Sequence, residues 1–436
     1  MSMKLSKQLN IRRGFNSLPE DSKLPIIFCL IVIIGLLIGC LVCMVNTILG
    51  KPIFPYGTFV FLINRCVDLF DTFRASSLGD QIFAQLTWAA SYIPFTYAFL
   101  KPLIMINCVV SFWLSAVAFF IFTFIYIKRN FKKQWLGVMA AIVILLSYPF
   151  LYAYDRANIE IFIFIFLALF MICYRRNLLI LAAFMLSVAV SMKLYPIVLI
   201  LLFVKNKQFK PLLYTVIFTL VLTYIGYIYT GSNLSGMVQN FRYFDLYSQK
   251  FPLGLIFSHS LFNLFRLPFL FFTNVPDLTQ YIQIVAFLQP IYAVLVLVLF
   301  VFISLYVVFI SKEFWKSVLI LFLVLVSFPY VSQDYTLMHL TIPLLLLFNA
   351  GYNAKNKWYV ILIAFLFIPM NWITWAYPNA YPVITGIWCY PITPGLAIRP
   401  IIILILLCML IKKDFTFNDL KIGIKDYLKV VISKKE

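Results

Sequence analysis

The chain of 436 residues is 64% hydrophobic and only 11% charged, with a mean hydropathy of +0.99 and a formal net charge of +20. Soluble domains carry about 25% charged residues, so this composition excludes a soluble globular protein and indicates an integral membrane protein. The basic residues stand in short segments between apolar runs, and no tract resembles a nucleic-acid-binding module. Membrane lipids are therefore the expected partners of this charge, and nucleic acid is not.

Twelve apolar runs lie between a basic N-terminal segment, residues 1–23, and a basic tail, residues 412–436. Backbone groups inside a bilayer must be paired within their own segment, so each run is predicted to be helical. We therefore predict an all-α polytopic membrane protein, a bundle of about 12 transmembrane helices (roughly 10 to 13) over residues 24–411. The runs are 24–48, 102–127, 135–153, 158–174, 178–192, 194–204, 211–230, 281–310, 316–331, 335–350, 357–377 and 396–411.

Two neighbouring runs, 178–192 and 194–204, are shorter than the roughly 20 residues that cross a bilayer. They meet at Met192–Lys193–Leu194–Tyr195–Pro196. This pattern predicts either a hairpin that only dips into the membrane or two broken, tilted helices that line a cavity.

The distribution of Lys and Arg predicts the orientation. With both termini cytoplasmic, 25 of the 35 basic residues fall on the cytoplasmic side, as the positive-inside rule requires of a multi-pass plasma-membrane protein. The longer outer loops are then 49–101, 231–280 and 378–395, and chemistry is expected on the extracytoplasmic face. In the tail, Lys421, Lys425 and Lys429 predict an amphipathic helix on the cytoplasmic leaflet, with a solvated tail as the alternative.

The first outer loop carries two carboxylates, Asp68 and Asp71, which fall on the same side of a helical turn. Acidic side chains at the edge of a hydrocarbon layer are costly and usually functional. We therefore predict that Asp68, with Asp71 beside it, is the chemical centre. Cys66 and Cys389 both lie in predicted outer segments, so a disulfide between them stays open.

Four small polar groups lie at predicted outer helix ends, and two interpretations of them stay open. The charges pair with one another, for instance Asp155 or Glu160 with Lys193, or the cations form an anion-binding cavity for a lipid phosphate. His259 and His339 are single residues that we interpret as structural. The groups are Asp155–Arg156–Ala157–Asn158–Ile159–Glu160, Lys193–Leu194–Tyr195–Pro196, Gln333–Asp334–Tyr335 and Arg399.

Five short segments of the sequence, in this order, resemble a known family. They are Val67–Asp68–Leu69–Phe70–Asp71, Ser91–Tyr92–Ile93–Pro94–Phe95, Arg156–Ala157–Asn158, Ser191–Met192–Lys193–Leu194–Tyr195–Pro196, and Asp334–Tyr335 with Ile342–Pro343–Leu344. An early outer-loop Asp followed by a Tyr/Pro-rich turn resembles the GT-C glycosyltransferases. The resemblance is greatest to the DUF2029, or family 87, branch with its polyprenol-phosphate-mannose-dependent mannosyltransferases. The sequence departs from that pattern in lacking the second Pro of Tyr-Pro-Pro and in having Ala157 for Gly.

The resemblance implies a GT-C-like architecture and an inverting transfer of a mannose-like hexose from a polyprenyl phosphate to a hydroxyl of a glycan or glycolipid. It implies that Asp68 is the general base, while Asp71 supports it. The donor phosphate is expected at Arg156, Lys193 and Arg399. The expected substrate cavity is lined by Tyr92, Asn158, Glu160, Tyr195, Asp334 and Tyr335.

No cofactor is expected, and no metal, because the chain has no Asp-x-Asp motif for a bridging metal. Three other function classes compete with sugar transfer: a lipid or small-molecule transporter or flippase, a polysaccharide polymerase or ligase, and a structural subunit. The lack of a repeat between the two halves argues against transport. An early Asp, rather than arginines in a late loop, argues against the polymerase.

Overall fold

The computed structural model describes residues 18–50, 92–231, 258–272, 278–370, 393–411 and 417–433. These ranges are 84% helical and contain no β-strand, which confirms the all-α class. Four residues named above, Asp68, Asp71, Cys66 and Cys389, lie outside the described residues.

The described part contains sixteen α-helices, together with two 3-10 helices, Tyr195–Ile200 and Asp334–Leu340, and a π-helical turn, Tyr306–Ile310. The helices are α1 Glu20–Ile48, α2 Pro94–Ile106, α3 Cys108–Arg129, α4 Gln134–Leu145, α5 Tyr148–Arg156, α6 Glu160–Arg175, α7 Leu179–Met192, α8 Leu201–Lys205, α9 Phe209–Thr230, α10 Asn263–Phe272, α11 Leu278–Leu305, α12 Phe314–Ser327, α13 Thr341–Asn349, α14 Ala354–Leu366, α15 Gly395–Ile411 and α16 Phe417–Ser433.

Four described helices are long and apolar enough to cross a membrane: α1, α3, α9 and α11 with its π-helical end. Helices α4 and α5, bent by 53° at their junction, make a fifth if they are counted as one span. The predicted number of about 12 spans is therefore not confirmed, because several predicted runs are short or broken helices. The runs 178–192 and 194–204 form α7 and a 3-10 helix that begins at Tyr195 and continues into α8. Both alternatives for these two runs, a hairpin that dips into the membrane and broken helices that line a cavity, stay predictions.

Local chemistry explains where the predicted runs break. The Asn107 side chain accepts hydrogen bonds from Val109 N and Val110 N, so it caps a new helix inside the predicted run 102–127. Pro149 stands in the first turn of α5, where a missing N–H is tolerated, and splits the run 135–153. Helix α2 begins at Pro94, inside the predicted outer loop 49–101.

Helix α12 lies at the centre of the bundle, and every residue from Lys316 to Ser327 is buried. Helices α1, α3, α9 and α11 instead expose large apolar side chains along their length, such as Leu37, Trp113, Leu220 and Val294. Contiguous exposed apolar surface of this extent is unstable in water. It fits a bundle whose outer helices contact lipid.

The bundle has two chemically different ends. One end gathers the basic turns, where Lys133 lies 3.5 Å from Asp21 and Lys205 donates to the Val307 carbonyl at 3.2 Å. The other end gathers the polar groups of the predicted site. Which end faces the cytoplasm remains the prediction made from the basic residues.

Helix α9 packs against the start of α2 at the site end through Gly226. A Cβ on this residue would fall well inside van der Waals contact of the backbone of Pro94 and Phe95. Only glycine permits so close an approach between two helices. The contact fixes the N-terminus of α2, just after Tyr92.

We therefore expect Gly226→Ala to force α2 away from α9 and to destabilise the protein by about 1–3 kcal/mol, as overpacking commonly does. Thermal unfolding in detergent measures the effect as a lower Tm. Val221→Ala, a change at a half-exposed position of the same helix, is the control and should leave the Tm nearly unchanged. Equal Tm values for the two variants would contradict the close packing.

Candidate functional site

The first polar cluster is built around Glu160, a fully buried carboxylate at the first residue of α6. The Lys193 ammonium lies 2.6 Å from Oε1, and His339 Nε2 lies 2.8 Å from Oε2. The Tyr195 hydroxyl also donates to Oε2. A buried carboxylate is tolerated when paired and hydrogen-bonded in this way. The cluster, which we call the Glu160 cluster, joins α6, the break after α7 and a 3-10 helix.

Local backbone geometry brings these side chains together. Ala157 has a left-handed conformation, with φ 48°, which ends α5 and turns the chain toward α6. The Asn158 side chain then accepts from the Glu160 backbone N–H at 3.2 Å, which holds the turn that leads into α6. Lys193 has extended backbone at the end of α7, so the chain leaves the helix there before Pro196 starts the next turn.

Lys193 is the partly accessible member of the Glu160 cluster, with a side chain that is 22% exposed. Its ammonium lies 5.3 Å from the centre of the Tyr92 ring and 5.9 Å from that of Tyr335. Tyr92 is held in turn by Asn158, whose amide donates to its hydroxyl at 3.3 Å. The result is a fixed cation between two aromatic faces.

The second cluster is built around Asp334, which begins the 3-10 helix Asp334–Leu340. Arg399 Nη1 lies 2.6 Å from Oδ2, the Tyr148 hydroxyl donates to Oδ2 at 2.9 Å, and His259 Nδ1 lies 3.1 Å from Oδ1. Both partners of the Asp334–Arg399 pair are fully buried. The guanidinium also donates to the Ile368 carbonyl at 3.1 Å and lies over the Tyr148 ring.

The Asp334 cluster attaches the segment that begins at Ser258 to the centre of the bundle. His259 N–H donates to the Ser332 carbonyl at 3.0 Å, and Ser258 forms an antiparallel bridge with Gln333. His259 Nε2 lies within 3.3 Å of the Thr336 hydroxyl. This segment is therefore held by backbone and side-chain bonds together.

The two clusters share the 3-10 helix Asp334–Leu340, which carries Asp334 at one end and His339 near the other. Between them, the Tyr335 ring contacts the Tyr152 ring, with centres 5.4 Å apart, and lies beside Lys193. Most predicted site residues are thus brought to one end of the bundle. Arg156, the last residue of α5, is partly exposed and two residues from Asn158.

The sequence profile of glycosyltransferase family 87 matches residues 90–329, more than half of the chain. The chain belongs to glycosyltransferase family 87. No curated protein and no solved structure matches it significantly. The match confirms the predicted resemblance to GT-C-like glycosyltransferases, although the mannosyl specificity that the resemblance implied is not confirmed. The matched range includes Tyr92, Glu160 and Lys193.

Family 87 membership identifies a membrane glycosyltransferase, a transferase rather than a transporter. In one of its two interpretations the sequence offered Asp155 or Glu160 as an ion-pair partner of Lys193, and the structure pairs Lys193 with Glu160. Sequence reasoning did not assign partners to the two histidines, which it interpreted as structural, nor did it single out Tyr148. His339 is 179 residues from Glu160 and Tyr148 is 186 residues from Asp334, so no local pattern could reveal these contacts.

The Asp334–Arg399 pair provides a test of the second cluster. Removing one partner of a buried pair leaves the other charge uncompensated and costs about 3–5 kcal/mol. We expect Asp334→Asn to lower the Tm strongly, and the double variant Asp334→Asn/Arg399→Met to be less destabilised than the sum of the two single variants.

The exposed pair Lys133–Asp21 supplies the control, because Asp21→Asn should cost no more than about 1 kcal/mol. Thermal unfolding of the four variants in one detergent makes the comparison. Additive effects of the two Asp334-cluster changes would show that the pair is not coupled.

Proposed function

We propose that this family 87 protein transfers a mannose-like hexose from a polyprenyl phosphate to a hydroxyl of a glycan or glycolipid on the extracytoplasmic face of the plasma membrane. The observation that carries the proposal is the partly exposed Lys193, held 2.6 Å from buried Glu160 between two tyrosine rings. A cation fixed in advance stabilises negative charge that develops on a leaving phosphate.

The aromatic faces beside Lys193 support the choice of substrate. Tyr92 and Tyr195 are partly exposed, while Asn158 and Tyr335 are buried behind them. Tyrosine rings with a polar edge suit both a sugar ring and the first units of a prenyl chain. In this proposal Tyr92 and Tyr195 contact substrate, whereas Asn158, Glu160, Asp334 and Tyr335 hold those residues in place.

The proposed catalytic carboxylates, Asp68 and Asp71, belong to residues 51–91, which precede Tyr92 in the chain. The Tyr92 ring centre lies 5.3 Å from the Lys193 ammonium, so the first described residue after these carboxylates lies beside the proposed phosphate position. Asp68 removes the proton of the acceptor hydroxyl while the hydroxyl oxygen forms a bond to the anomeric carbon of the donor sugar. The bond from that carbon to the phosphate oxygen breaks, and its electron pair leaves with the polyprenyl phosphate.

A single displacement of this kind inverts the anomeric configuration. The base contributes about 10²–10⁴-fold to the rate, and Asp71 supports it. The proposal includes no metal or other cofactor, since Lys193 and Arg156 are assigned to supply the positive charge. Arg399 is fully buried with Asp334, so we give it a supporting role in the Asp334 cluster rather than contact with the phosphate.

Lys193→Met tests the phosphate position. Loss of one fixed donor to a developing anion lowers turnover by about 10²–10³-fold. We expect a loss of that size in proteoliposomes supplied with a polyprenyl-phosphate hexose, and partial recovery with Lys193→Arg. Lys210→Met removes an exposed charge from the opposite end of the bundle and is the matched control. Full turnover by Lys193→Met would overturn the assignment.

Asp68→Asn tests the base in the same assay. We expect it to insert and unfold like the unchanged protein, and to lose about 10²–10⁴-fold in turnover because the amide cannot accept the proton. Asp71→Asn should lose less. If Asp68→Asn kept its turnover while Asp71→Asn lost it, the two roles would have to be exchanged.

A further inference from the structure

Helix α16, Phe417–Ser433, is attached to the basic end of the bundle through one face. A Cβ on Gly423 would collide with the Phe309 carbonyl, so the helix lies directly on the π-helical turn Tyr306–Ile310. The Tyr427 hydroxyl donates to the Val204 carbonyl at 2.7 Å, and its ring meets the Phe309 ring edge-on at 5.2 Å. Burial raises the pKa of Tyr427 above its ordinary value, so the hydroxyl stays protonated and continues to donate.

The opposite face of α16 is basic. Lys421, Lys425 and Lys429 follow one another at intervals of four residues, so they form one ridge about half a turn away from Gly423 and Tyr427. All three lysines are exposed. Ile422 and Leu428 flank the ridge and are 58% and 51% exposed, respectively. Lysines bordered by exposed apolar side chains are typical of helices that lie in a membrane interface.

The position of α16 in the chain restricts what can cover this face. Helix α15 ends at Ile411 and α16 begins at Phe417, and the residues between them can span at most roughly 20 Å. The basic ridge therefore lies close to the end of a helix of the membrane bundle. Further exposed cations, Arg129, Arg175 and Lys312, lie at turns of the same end.

We propose that the ridge of Lys421, Lys425 and Lys429, with Ile422 and Leu428, binds the headgroups of anionic phospholipids at the membrane surface. Three positive side chains complement the phosphodiesters and carboxylates of such lipids, and the two apolar side chains enter the boundary with the acyl chains. The attachment by Gly423 and Tyr427 joins this lipid contact to the π-helical turn at the end of α11. This lipid-binding ridge lies at the other end of the bundle from Lys193 and is independent of the proposed reaction.

Hydrogen exchange of the full-length protein in nanodiscs tests the proposal. Discs of phosphatidylcholine alone are compared with discs of phosphatidylcholine and phosphatidylglycerol in equal parts. We expect slower exchange in peptides of α16 with the anionic lipid. Each lysine near such a surface is worth about a fivefold change in binding. The variant Lys421→Gln/Lys425→Gln/Lys429→Gln should therefore show the same exchange of α16 in both kinds of disc.

The matched control is Arg175→Gln/Arg176→Gln/Lys312→Gln, which removes the same charge from exposed positions of other turns at that end. It should keep the lipid-dependent protection of α16. Unchanged exchange in buried α12 verifies the fold of both variants. Equal exchange of α16 in the two kinds of disc would overturn the proposal and would favour a soluble partner or attachment to the bundle alone. Equal loss of the lipid-dependent protection in both triple variants would also overturn it.

Discussion

The site end of this protein depends on two carboxylates, Glu160 and Asp334, that are kept inside an apolar bundle. An ionised carboxylate there is tolerated only with opposite charge and hydrogen bonds around it. Glu160 has Lys193, His339 and Tyr195; Asp334 has Arg399, His259 and Tyr148. Because each acid requires several partners at once, it restricts the arrangement of the helices that carry them.

This restriction specifies the register between helices, which apolar packing alone specifies only weakly. The lipid-facing sides of α1, α3, α9 and α11 are rows of similar aliphatic and aromatic side chains, which do not distinguish one register from another. The hydrogen bonds of Glu160 and Asp334 have fixed directions and distances, so a helix displaced by one residue would leave a charge unpaired. The polar end therefore specifies how the broken helices meet, and the aromatic contacts of Tyr92, Tyr148 and Tyr335 follow from it.

Much of this was predictable from sequence. Composition established the membrane class, the apolar runs placed most helices, and the pattern of basic residues predicted two different ends, with the polar groups together at one of them. The number of spans was not predictable from hydropathy, because a side-chain cap at Asn107 and a proline at 149 break helices without making a run less apolar. The partners of Glu160 and Asp334 come from distant parts of the chain, and only the folded structure brings them together.

The pairing of Lys193 with Glu160 affects how Lys193 acts in the proposed reaction with a lipid phosphate. A paired lysine adds little net charge, so its value lies in orientation. Glu160 is fully buried whereas Lys193 is partly exposed. In the proposed reaction, a phosphate on the exposed side therefore contacts the ammonium, and the carboxylate lies behind it. The carboxylate also prevents the ammonium from turning into solvent. In the proposed reaction, the arrangement therefore provides a cation whose position is fixed before the substrate arrives, and little reorganisation is needed as charge develops on the leaving group.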